Sequence, residues 1–253
     1  MSQRTRVYLI CSPRPKAGKT LSARLCAEFQ RYNTRPVLGF DLGTDPPRFT
    51  EFLPTLATSA SIGDVRGQMA LFDKLTTNDG NPKVVDIGCR AFETFFTIMR
   101  DLDFAAEAKC NGIRGVVLFV AAFDEPSIQS YRTLRNWFPA LTFVPVYNEV
   151  VATGRELGRV FTSNNRSIFP LQIARLPFGL QNLVDQPPFS FNDSLAPPSL
   201  RLPLDLKWEL GGWVKRGWRQ FRELELSLLL DEVKSSFVVQ NADPAQSKGN
   251  QVN

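Results

Sequence analysis

The chain has 253 residues, 43% of them hydrophobic, with 20 Phe and 4 Trp; that content excludes a disordered chain and supports one substantial core, alone or with an appendage. The absence of histidine and the scatter of four cysteines, with no C-x-x-C pair, argue against a zinc site and against a disulfide framework. A formal charge of +5 tilts the chain mildly toward nucleic acid or an anionic surface and says nothing about fold.

Taken in order, Val7 to Cys11 is a short apolar run that reads as a strand. It breaks into a Pro-rich turn carrying Gly18-Lys19-Thr20, and Thr20 to Tyr32 follows as a helix, with Leu21, Leu25 and Phe29 on one face. Pro36 to Phe40 reads as a buried strand running into Asp41. A strand near Phe52 to Leu56 and a helix from Asp64 to Leu75 come next, and residues 76–82 form a turn cluster. Lys83 to Gly88 is a short strand containing Asp86, Phe92 to Asn111 a helical region with Gly112 as its cap, and Gly115 to Ala122 the clearest central strand. A helix opens at Pro126. Leu141 to Tyr147 is then a strand ended by Asn148, and its Pro145 predicts an edge or strand-end position. Further elements are expected as a helix over 154–161, a short strand near Ser167 to Pro170 and the segment Leu180 to Val184.

This alternation predicts an α/β fold, a mostly parallel sheet flanked by helices, over residues 1–185. A proline-rich connection over 186–203 leads to a helical C-terminal extension over 204–240, and 241–253 is a polar tail expected to fray. No stretch reads as a signal peptide or as a bilayer span, so a cytoplasmic location is expected.

Chemistry concentrates at the strand–turn–helix opening. Gly18-Lys19-Thr20 ends this loop as a P-loop ends. There, backbone N–H groups and a helix N-terminus receive phosphate, the Lys reaches the β/γ oxygens and the hydroxyl ligates Mg²⁺. Pro13 stands where the first glycine would be. Pro13 and Pro15 offer no N–H, so Lys16, Ala17, Gly18, Lys19 and Thr20 must supply the donors, with Leu21 beside them. Asp41 and Asp86 each end a strand, where a Mg·nucleotide site needs acids. The bland alternative is that each only caps a turn or the next helix.

On these residues the chain resembles the ParA/MinD group of deviant Walker A ATPases. The resemblance covers the order of elements over roughly residues 5–185. The family loop Lys-Gly-Gly-x-Gly-Lys-Thr falls on Arg14 to Thr20. The resemblance then implies that Lys19 binds phosphate, that Thr20 ligates Mg²⁺ with Asp86 holding its waters, and that Arg14 takes the place of the Lys that reaches across an ATP-sandwiched dimer. It also implies that Asp41 positions the attacking water, although Gly43 replaces the second acid of that strand, and that Asn148 reads the adenine edge. The implied protein is a slow ATPase, a nucleotide-dependent homodimer serving DNA or plasmid partitioning or cell-division positioning, with DNA or an adaptor protein as partner. Two alternatives stand beside it: a metabolic ATP-dependent ligase-like member of the same fold, and a nucleotide-binding scaffold that does not hydrolyse.

Residues 207–222 interleave five basic residues with Trp208, Trp213, Trp218 and Phe221. One reading docks this helix on the core or on a second subunit; the other lays it on an anionic membrane surface. Gly211, Gly212 and Gly217 weaken it as an autonomous helix.

Overall fold

The computed structural model of the chain describes residues 4–151, 160–165, 167–196 and 203–241. It contains strands β1 (Arg6–Cys11), β2 (Leu38–Asp41), β3 (Ala57–Ser59), β4 (Lys83–Asp86), β5 (Arg114–Val120), β6 (Thr142–Asn148) and β7 (Leu171–Ile173). The helices are α1 (Lys19–Tyr32), α2 (Phe49–Phe52), α3 (Val65–Leu75), α4 (Phe92–Asp101), α5 (Phe104–Cys110), α6 (Glu125–Trp137), α7 (Phe178–Val184), α8 (Phe191–Leu195) and α9 (Leu204–Asn241). The strands form one sheet in the order β3-β2-β4-β1-β5-β6-β7, every neighbouring pair parallel. The helix expected over 154–161 falls mainly outside the described residues, as do Pro197, Pro198 and the tail.

Valine-rich central strands suit a sheet covered on both faces. Val7, Leu9 and Cys11 of β1 face a core with α3 to α6, rich in phenylalanine: Phe72, Phe95, Phe96, Phe104 and Phe138. Tyr8 and Ile10 face the opposite core, shared with Leu25 and Phe29 of α1 and with α7, α8 and α9. That second core takes in the apolar side of α9 from Leu210 to Leu228, while Leu204, Trp208, Leu230 and Val233 stay exposed. Leu210, Trp213, Val214, Trp218, Phe221, Leu224 and Leu228 are all buried. Trp218 packs on Tyr32 with ring centroids 4.6 Å apart, and Phe221 on Phe29 at 5.8 Å. Of the glycines that weaken a lone helix, Gly211 marks a tight approach, since a Cβ there would lie 3.3 Å from Leu195, whereas at Gly217 a Cβ would meet Leu25 only in ordinary contact at 3.9 Å.

Polar anchors fix the register of α9. Buried Glu225 accepts from Tyr8 Oη (3.2 Å), Gln30 Nε2 (2.9 Å) and Arg35 (2.7 Å), and lies 3.6 Å from Arg6. Arg114 donates to the Leu228 carbonyl (2.8 Å) and pairs with Asp231 at 2.5 Å. The Gln220 amide accepts from Gln172 N (2.6 Å) and donates to Gln172 O (2.7 Å), satisfying the outer side of β7.

Four expectations need correction. Phe52 to Leu56 is not a strand: Phe49–Phe52 is a helical turn that buries both phenylalanines, and the strand begins at Ala57. The long helix over 92–111 is two helices. Asp103 takes a left-handed conformation (φ 45°), which Asp tolerates, and the break leaves Leu102 exposed while Phe104 is buried. Pro145 lies on an internal strand, paired with Phe119 of β5. It fits because the β7 ladder starts only at Val146, leaving Pro145 with a neighbour on one side. The strand expected at 167–170 lies at Leu171–Ile173, and 180–184 belongs to a helix.

Candidate functional site

Parallel sheets gather their functional groups outside the carboxyl ends of the strands, and the central β1 delivers the Pro-rich loop there. Lys16 (φ 55°) and Gly18 (φ 99°) both adopt left-handed conformations, turning the loop into the first residue of α1. Glycine is required at 18 for a second reason, since a Cβ there would meet Asn148 Nδ2 at 2.4 Å. No side chain caps α1 at Gly18, so its first N–H groups, which have no partner within the helix, remain for a ligand.

Lys19, only 8% exposed, donates to the Arg14 carbonyl at 2.6 Å. Burial lowers the pKa of its amine, and the nearby Asp86 carboxylate works against that shift. A buried cation at a helix N-terminus, closed on its own loop, suits an incoming anion. Thr20 Oγ1 donates to Asp86 Oδ2 at 2.7 Å. The other Asp86 oxygen is buried without a hydrogen-bond partner among the described residues. Burial pushes this carboxyl up to about 7; the Thr20 hydrogen bond and Lys19 oppose the shift, and nearby Asp41 adds to it.

These groups line a cleft of about 610 Å³, bordered also by Lys16, Ala17, Gly18, Leu21, Gly88 and Cys89, with Arg24 and Phe52 on the α1–α2 side. A second cleft of about 490 Å³ shares Lys16, Gly18 and Leu21 and reaches Asn148, Val150, Ala174 and Leu176 beyond the ends of β6 and β7. Together they make one groove along the carboxyl edge.

Lys19, Thr20 and Asp86 therefore converge as the sequence suggested, with Lys16, Ala17, Gly18 and Leu21 around them. Three residues are placed otherwise. Asp41 is the in-register neighbour of Asp86, but its oxygens accept from Gly43 N (2.8 Å), Thr50 N (2.8 Å) and Thr50 Oγ1 (2.9 Å). That is the capping role. Arg14, half-exposed, pairs through Nε with Asp124 at 2.9 Å, the residue that caps α6. Asn148 borders the second cleft with both ends of its amide engaged, Nδ2 to Ala17 O (3.0 Å) and Oδ1 from Val150 N (3.1 Å). It braces the loop from below.

Sequence reading missed the far walls. Arg24 is buried, its guanidinium 3.7 Å over the Phe52 ring and bonded to Val184 O (2.9 Å) and Phe189 O (3.3 Å). Burial lowers its pKa to about 10. No local pattern announces such a residue, because its partners come from segments far along the chain.

No protein-family model and no curated protein matches the chain. Among the described residues no helix is long and apolar enough to cross a membrane, and no three His, Cys, Asp or Glu side chains gather as a metal cluster.

Proposed function

We propose that the protein is a P-loop nucleotide-binding switch of the deviant Walker A kind, holding ATP with Mg²⁺ and turning it over slowly. The observation that carries this reading is the Thr20–Asp86 hydrogen bond of 2.7 Å beside the buried Lys19, with one Asp86 oxygen left unpaired. The strand order, with the loop on central β1 and the acid on adjacent β4, supports a P-loop NTPase fold.

The donor set fits Mg²⁺. That ion takes one or two protein oxygens and completes its shell with water and phosphate, so one hydroxyl and one carboxylate suit it. Thr20 and Asp86 would hold it, and it would neutralise charge between phosphate oxygens. The chain's own part is to bind and orient. Backbone N–H groups from Lys16 to Thr20 and the α1 N-terminus receive phosphate, and the Lys19 amine exchanges the Arg14 carbonyl for a phosphate oxygen.

Slow turnover follows from Asp41, whose hydrogen bonds to Gly43 and Thr50 leave it poorly placed to orient water. The same fact favours a second reading, a scaffold that binds without hydrolysis. Arg14 reaches a partner subunit only by leaving Asp124, so ATP-dependent homodimerisation would require that ion pair to open. A role in DNA partitioning or division positioning, with DNA or an adaptor as partner, rests on the resemblance of the loop and strand ends alone.

Calorimetry with ATP and Mg²⁺ tests the reading. The wild-type chain should bind and Lys19→Ala should lose at least about tenfold in affinity, the cost of one charge-assisted hydrogen bond. Heat-silent titrations of both proteins sink the proposal. Phosphate release by the wild type separates the switch from the scaffold.

A further inference from the structure

The two clefts meet over a short shared wall: Lys16, Gly18, Leu21 and Asp185. Asp185 follows the last residue of α7, where its N–H donates to Gln181 O at 2.9 Å, and its side chain is exposed. It is the one side chain of that wall that accepts hydrogen bonds. Lys16 only donates, and Gly18 and Leu21 offer no polar side-chain atom.

An acid beside an anion-binding loop is unfavourable toward the anion itself, and its charge is balanced only in part by buried Arg24, on which it acts as the second acid after Glu28. It is well used if the middle of the ligand presents donors. A nucleotide lying in the groove has phosphates at the Lys19–Thr20–Asp86 end and its base against Val150, Ala174 and Leu176. Its sugar then falls on the shared wall, and the 2′- and 3′-hydroxyls are its donors.

We propose that Asp185 accepts a hydrogen bond from the ribose and makes the groove selective for ribonucleotides over deoxyribonucleotides. This rests on the nucleotide reading above and adds to it a specificity-determining residue.

The test is calorimetry of the full chain with ATP, 2′-deoxyATP and 3′-deoxyATP in Mg²⁺, repeated on Asp185→Ala. Loss of a hydrogen bond to a charged acceptor weakens binding by roughly tenfold or more. The wild type should show that loss with at least one deoxy analogue. Asp185→Ala should bind ATP only as tightly as the wild type binds that analogue, and should no longer discriminate between the two. Equal binding of all three nucleotides by the wild type overturns the sugar contact and leaves the phosphate site standing. Discrimination that survives in Asp185→Ala overturns the role of Asp185. Binding of none of the three overturns the nucleotide reading, and this inference with it.

Discussion

Asp86 keeps its proton up to about pH 7 because burial strips both oxygens of water, a cost that the Thr20 hydrogen bond and Lys19 offset only in part. In the unfolded chain the same carboxyl titrates near about 3.9. Between those values the native state holds a proton that the unfolded state has released, so stability falls as pH rises through about 4 to 7 and stays reduced above that window. Asp86→Asn removes the titration. Its unfolding free energy from urea titration should exceed that of wild type at pH 8 by on the order of 2 kcal/mol, and the gap should close near pH 4. The same variant should bind ATP·Mg²⁺ more weakly, so a gain in stability accompanied by unchanged affinity would refute the proposed use of Asp86. At this scale the sequence was legible where residues act within one motif or at strand ends. Lys19, Thr20 and Asp86 are of that kind. Asp41 kept its place at a strand end, but its oxygens are taken up by Gly43 and Thr50, and Thr50 arrives from a helical turn that the sequence pattern did not show. Arg24 and Asp185 carried no local signal at all.

Among the elements, α9 repays the closest reading. Its aromatic and basic composition left docking and membrane contact both open, and the packing decides where the aromatic stripe goes: Trp213, Trp218 and Phe221 lie against α1, α8 and β7. The cations Lys215, Arg216, Arg219 and Arg222 remain on the outer side, and of the four aromatics Trp208 alone stays exposed. Each buried side chain of the stripe contributes about 1.5–3 kcal/mol relative to exposure. Glu225 is the pin in this arrangement. Glu225→Ala would strand Arg6, Tyr8 and Gln30 in the interior and should cost about 3–5 kcal/mol in urea unfolding. The neighbouring exposed Glu223→Ala should cost less than about 1 kcal/mol, since its 3.7 Å pairing with Arg219 is a surface contact. Equal effects of the two substitutions would show that α9 is not held as described. The periodicity of α9 was visible in sequence. What it faced was not, because periodicity specifies an apolar side and leaves its partner open.

For the whole molecule, alternation of strand and helix was enough to give a parallel α/β sheet, since short connections and the right-handed crossover leave few arrangements. The order of the strands was not readable. It depends on which buried strand lies at the centre, and β1, β4 and β5 are all buried almost throughout. Phe189, Phe191 and the α9 stripe all close the same core as Tyr8 and Ile10, although the proline-rich connection lies between α9 and the sheet. A chain ending at Leu204 would therefore not be a smaller folded protein. It should be recovered largely insoluble, while the full chain stays in solution, as sedimentation would show.

The manner of that failure follows from Gln220. Its amide presents to Gln172 the donor and acceptor that another strand would present, so α9 closes off the last strand on that side of the described sheet. With the helix lifted away, β7 becomes an open template, and an identical chain is the nearest thing able to fit it. Association should then begin by strand addition at β7. The C-terminal helix thus shields a sheet edge from strand addition, a task apart from its packing on the core.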